Sequence, residues 1–115
     1  MPASSPDPGV AILRLAGEND ASVARRVQRD LSAVETDAPV VVDLSGATSL
    51  DAAVVRILLD GLAESERYER TFLLLLPDDD SPVRRLFQIS GLAGLLPVVS
   101  SWEEALGRAG NAANI

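Results

Sequence analysis

The sequence predicts a single small α/β domain, with a mostly parallel sheet of about four strands covered by about four helices. Two observations on pattern predict it. The apolar runs at 40–44 and 71–77 are continuous rather than alternating, as expected for strands covered on both faces. The stretches between such runs repeat their apolar residues every three or four positions, the period of a helix burying one face. A third observation is their order, β-α-β-α-β-α-β-α, which in compact domains gives a parallel sheet wrapped by helices. A chain of 115 residues supports one such core and not two.

Residues 1–9 carry three prolines among small polar residues and read as a flexible tail; the domain is expected over 10–109, with a second tail at 110–115. The first strand is expected in 10–17, apolar and closed by Gly17 into a turn. Val23, Val27, Leu31 and Val34 then mark one face of a helix, with Asp20 as its cap. Pro39 separates that helix from the apolar run 40–44, read as the central strand. The next helix follows Asp51, with Val55, Leu58, Leu59 and Leu62 inward and Ala52, Arg56, Asp60, Glu64 and Arg67 outward.

The run 71–77 is a second buried strand stopped by Pro77. Ser81 and Pro82 form a cap and a first helical position, opening a helix through Val83, Leu86, Phe87 and Ile89 that stops at Gly91. A short strand is expected in 96–100. Ser101 stands three residues before Glu104, the spacing of a capping box for a last helix.

Composition narrows the function classes. There is no Cys and no His, which removes thiolate chemistry, the commonest metal ligand and the side chain best suited to proton transfer near neutrality. All ten basic residues are arginine, so no lysine can serve as the base for a serine nucleophile. A net charge of −7 repels a phosphate backbone, and no nucleic-acid partner is expected. The N-terminus has no basic stretch followed by an apolar one, and no run approaches membrane-spanning length. A cytoplasmic protein without direct membrane insertion is expected, and not an enzyme.

The motifs are modest. Asp78, Asp79 and Asp80 lack the alternation and glycine of a calcium loop and read as a solvated turn, so no metal is expected. The glycines at 91 and 94 fit a helix stop and a turn rather than a phosphate loop, and no cofactor is expected. Asp43, Ser45, Thr48 and Ser49 gather after the central strand, where open α/β sheets usually carry their binding surfaces. Polar residues satisfying a turn are the plainer account of them.

Taken together, "LRLAGEND", "VVVDLSGATSLDAA" and "VRRLFQISGLAGLLPVVSSWEEAL" resemble, in content and spacing, the STAS domain family, whose best-known members are bacterial anti-sigma factor antagonists. The likeness spans about residues 9–109. It implies a small α/β fold and a protein-interaction switch. In the antagonists a serine or threonine directly after the aspartate matching Asp51 is phosphorylated by a partner kinase, often the anti-sigma factor itself. The unphosphorylated form binds that partner.

Here the position after Asp51 is Ala52, and Val54 stands where a glycine is common. Ser49 and Thr48 carry hydroxyls nearby, but neither follows Asp51. The resemblance therefore implies a non-catalytic module that binds an anti-sigma factor or similar kinase-like regulator without phosphorylation at the usual position. Its surface is expected at Asp43, Ser45, Thr48, Ser49 and Asp51 and on the helix face of Ala52, Arg56 and Asp60; its oligomeric state stays open. Two alternatives stand beside it: a cytoplasmic subunit of a membrane-lipid transport ATPase complex, and a small-ligand sensor with its crevice near Asp43 and Thr48.

Overall fold

The structure, a computed structural model, describes residues 9–77 and 80–113. Strands β1 (Ala11–Arg14), β3 (Val40–Asp43), β5 (Phe72–Leu75) and β6 (Val98–Val99) form a parallel sheet in the order β1-β3-β5-β6. Register runs from Ala11 opposite Val40 and Val40 opposite Phe72 to Leu75 opposite Val99. The expected fold class is the one observed. Helices α1 (Ala21–Ser32), α2 (Ala52–Arg67), α3 (Pro82–Ser90) and α4 (Trp102–Ala113) surround the sheet.

The continuous apolar runs have a direct physical cause. Successive side chains of a strand point to opposite faces, so a strand needs apolar residues at every position only when both faces are covered. Val40, Val42, Phe72 and Leu74 pack with Val27, Leu31, Val54, Leu58, Val83 and Phe87 of α1, α2 and α3. Val41, Leu73 and Leu75 join Val10, Ile12 and Val99 on the other face, under Ala105 and Ala109 of α4. Val40, Val41 and Val42 are each 0% exposed, and each buried side chain of that size contributes about 1.5–3 kcal/mol.

The caps form as the sequence predicts. The Asp20 carboxylate accepts from Ser22 N–H at α1, and Ser81 Oγ accepts from Arg84 N–H at α3. Gly91 closes α3 in the left-handed region at φ +77°, where a side chain would be strained. At α4, Ser101 Oγ accepts from Glu104 N–H while Glu104 reaches back to Ser100 N–H. That helix continues to Ala113, inside the stretch 110–115 read as tail. Of the residues expected to be an N-terminal tail, 1–8 lie outside the described residues, as do Asp78 and Asp79 of the acidic turn.

Three local expectations, on the β2 and β4 segments and on the inward faces of α2 and α1, are corrected. The turn after β1 and the loop before α2 contain strands β2 (Gly17–Asn19) and β4 (Ala47–Leu50), which pair in parallel as a separate two-stranded ladder. Both are short and lack strong alternation, so only their nonlocal pairing defines them. The buried face of α2 is Val54, Leu58, Gly61 and Ser65, while Val55, Leu59 and Leu62 are half-buried. Gly61 turns the helix that way: a Cβ there would lie 3.1 Å from Leu31 Cδ1 and 3.2 Å from Phe72 Cε2, so α2 approaches its neighbours through a missing side chain. On α1 the buried residues are Ala24, Val27 and Leu31, with Val23 half-buried and Val34 beyond the helix. On α3, Val83 and Phe87 are buried whereas Leu86 and Ile89 are exposed.

Candidate functional site

The β4–α2 junction holds most of the residues expected to form the site. Within β4, Ala47 and Leu50 are buried and Thr48 and Ser49 face outward. Asp51 follows in an extended conformation as the N-cap of α2, and its Oδ1 accepts from Ala53 N–H at 2.8 Å. Its carbonyl accepts from the N–H groups of Val54 and Val55, starting the helical ladder. Ala52 is the first helical residue and is exposed; Arg56 and Asp60 continue the same exposed face one and two turns along.

Thr48, Ser49, Asp51 and Ala52 are thus exposed on either side of the buried Leu50, leading into a helix N-terminus. Such an entrance presents backbone N–H groups and the positive end of the helix dipole, an environment compatible with negative charge. The Asp51 carboxylate already uses part of that capacity.

Asp43 and Ser45 behave differently. Asp43 sits at the end of β3, is 7% exposed, and its Oδ1 accepts from both Ser45 N–H (2.9 Å) and Ser45 Oγ (2.6 Å). Its Oδ2 lies 3.5 Å from Arg14 Nε, whose guanidinium also stands 5.9 Å from the Trp102 ring centre. The carboxylate is occupied in closing its own loop and anchoring the strand end, which is the plainer role foreseen for this cluster.

Asn19 is the residue that sequence reasoning missed. It ends β2, is 1% exposed, and its Nδ2 donates to the carbonyls of Gly17 (3.0 Å) and Ser49 (3.2 Å). Its own carbonyl accepts from Asp51 N–H at 2.8 Å. One buried residue, through its side-chain amide and its backbone carbonyl, therefore fixes the first strand of the small ladder, the exposed β4 strip and the helix cap relative to one another. The only sequence signal was a polar residue between Gly17 and the cap Asp20. Asp20 itself has its carboxyl held below the ordinary value of 3.8, chiefly by the Ser22 hydroxyl and then by Ser22 N–H.

A pocket of about 230 Å³ lies elsewhere, between α3 and the ends of β5 and β6, lined by Leu76, Arg84, Phe87 and Ser100 among others. Arg84 Nη1 donates to the carbonyls of Leu76 and Pro77 there. Neither Asp43 nor Thr48 lines that pocket. Among the described residues no cluster of metal-ligating side chains occurs, and no helix is long and apolar enough to cross a membrane.

A family model described as "Mlab, STAS domain" matches residues 4–97 of the chain. Among solved structures, an anti-sigma factor antagonist from Mycobacterium paratuberculosis is similar at 23% identity and a TM-score of 0.77, covering 91% of this chain and 89% of that one. The Bacillus cell fate determinant SpoIIAA in its phosphorylated form is similar at 22% identity and a TM-score of 0.67, covering 92% and 96%. A sulfate transporter family protein from Wolinella succinogenes is similar at 20% identity and a TM-score of 0.74, covering 97% and 93%. Among curated proteins there is no match by sequence.

Proposed function

The chain belongs to the STAS domain family, and on that premise we propose that it is a non-catalytic interaction module that binds an anti-sigma factor or related kinase-like regulator. Binding takes place through the β4–α2 junction. The observation that carries this reading is Ala52: an exposed methyl at the first position of a capped helix, where the resemblance places the phosphoacceptor. A phosphate there would add about −1.5 to −2 charges to a docking surface. Ala52 cannot accept one, so the surface stays in its binding form. Asp51, Thr48, Ser49, Arg56 and Asp60 surround it as the polar part of the contact.

The test separates docking from folding. Ala52→Glu puts a carboxylate in the first turn of α2, where the helix dipole favours it by about 0.3–1 kcal/mol, so the fold is kept. The same carboxylate must be desolvated or displaced when a partner covers the helix entrance. The expected result is an unchanged or slightly raised melting temperature together with at least about a tenfold loss of affinity for a partner recovered by pull-down, some 1.4 kcal/mol. Recovery of that partner by both proteins in equal yield would take this surface out of the proposal. Ala52→Ser supplies a hydroxyl at that position, and incubation with a kinase-like partner should add one phosphate by intact mass.

A second reading has its own support. The Wolinella sulfate transporter family protein, similar in fold, carries a name that connects this fold with transport. The chain would then be the cytoplasmic STAS subunit of a membrane-lipid transport ATPase. Co-purification with a membrane-associated ATPase, and not with a sigma-factor regulator, is the outcome that selects it.

A further inference from the structure

A second surface, on the exposed side of α3 and the turn after it, is marked by burial and by charge. Among the described residues the three most exposed large aliphatic side chains are Ile89 at 80%, Leu95 at 67% and Leu86 at 37%. All fall within ten residues of sequence. Leu86 and Ile89 are three apart on α3 and share a side of it. Leu95 follows the short 3-10 turn Leu92–Gly94, which packs back on α3. Scattered single apolar residues need no explanation, but Leu86 and Ile89 on one side of α3, with Leu95 just after the turn that packs on that helix, concentrate exposed apolar surface of the kind used for association.

The charge pattern around this patch departs from the rest of the chain. Residues 81–102 contain Arg84 and Arg85 and no acidic residue, in a protein of net charge −7. Arg85 is exposed on α3, while Arg84 is held against the carbonyls that end β5. The acidic residues nearest in sequence, Asp80 and Glu103, flank this stretch, and Asp80 adjoins the opposite end of α3 from Ile89.

These observations select among occupants. A second copy meeting this patch symmetrically would present the same patch, in which residues 81–102 offer no carboxylate to pair with Arg85. An anionic lipid surface would be opposed by the chain's overall negative charge. What complements exposed leucine and isoleucine beside an arginine is an apolar stripe bordered by carboxylates. We infer that the face formed by Leu86, Ile89, Leu95 and Arg85 docks an acidic amphipathic helix of a partner protein, with Ile89 as the central apolar contact and Arg85 pairing with a carboxylate at the rim.

The test uses the full chain in its own cells, with a photoreactive benzophenone side chain placed at position 88, beside Ile89, and a control placed at position 66 on α2. The expected result is an adduct specific to position 88 whose cross-linked peptide is acid-rich, with apolar residues at three- and four-residue spacing. The synthetic form of that peptide should bind the purified protein. Ile89→Asp should weaken binding by at least about tenfold, and Arg85→Glu should weaken it and remove most of its salt dependence. Ile89 is exposed, so its variant should remain folded, with a melting temperature lowered only slightly by a carboxylate near the C-terminal end of α3.

An adduct to a second copy of this chain or to lipid, a cross-linked peptide without the acidic and apolar pattern, no adduct above the control, or binding indifferent to Ile89→Asp would each overturn the inference. Ala52→Glu distinguishes it from the β4–α2 proposal. Survival of the position-88 adduct in that variant supports a separate surface. Its loss there, with Ile89→Asp having no effect, assigns the contact to α2 and overturns the inference.

Discussion

Removing the Asp51 carboxylate deletes the side-chain acceptor for Ala53 N–H at the entrance of α2. Asp51→Ala should cost about 1 kcal/mol of stability, read as a fall in melting temperature of about 3–6 °C for a domain of this size; no fall would mean that the cap is dispensable. Asn19 should matter more, because its amide is buried and serves two carbonyls. Asn19→Ala leaves them without that donor and should cost about 1–3 kcal/mol in urea unfolding. Asn19→Asp points a carboxylate at the same carbonyls and should be more damaging at pH 7 than near pH 3, where a protonated carboxyl can donate again. Asp20 sets a smaller pH effect. Its carboxyl titrates lower folded than unfolded, so its contribution is present above its ordinary 3.8 and is lost as pH falls through the depressed value. Asp20→Asn should flatten the parent's loss of stability over that window; an identical pH profile would rule the effect out.

At the scale of an element, α2 shows how packing overrides a hydropathy pattern. Val55, Leu59 and Leu62 would extend the apolar face, yet they pack only half-buried at the edge of the core, while Val54, Leu58, Gly61 and Ser65 are the fully buried line. Gly61 allows the approach to Leu31 and Phe72, and Ser65 accepts from Arg70 Nε at 3.0 Å in a buried link that also reaches the Glu35 carbonyl through Arg70 Nη1. Gly61→Ala therefore opposes two effects. Alanine gains about 0.5–1 kcal/mol of helix propensity, while a methyl 3.1–3.3 Å from Leu31 and the buried Phe72 ring overpacks the core, at about 1–3 kcal/mol. The packing effect wins, and net destabilisation of about 1 kcal/mol should appear in chemical unfolding. A stabilised variant would show that α2 can withdraw from α1 and the sheet at little cost.

At the scale of the whole molecule, one sheet carries two cores. Three helices cover one face and α4 covers the other, so the sheet residues of β3 and β5 belong to both. Unfolding should be a single cooperative transition: the fluorescence of Trp102, the sole tryptophan, which packs at the α4 face, should change together with far-UV circular dichroism. Separate midpoints would show that α4 detaches on its own. The four strands of the main sheet, the helices between them and the caps at Asp20, Asp51, Ser81, Gly91 and Ser101 were legible in the sequence, because they depend on neighbours within a few residues. The continuous runs at 40–44 and 71–77 also determined that the sheet is covered on both sides. The tertiary structure decided the β2–β4 ladder, the role of Asn19 within it, the inward face of α2 and the exposure of Leu86 and Ile89. Each depends on what packs against a residue from far along the chain, and short polar strands, a glycine and a buried amide carry no local hydrophobic signal of that contact.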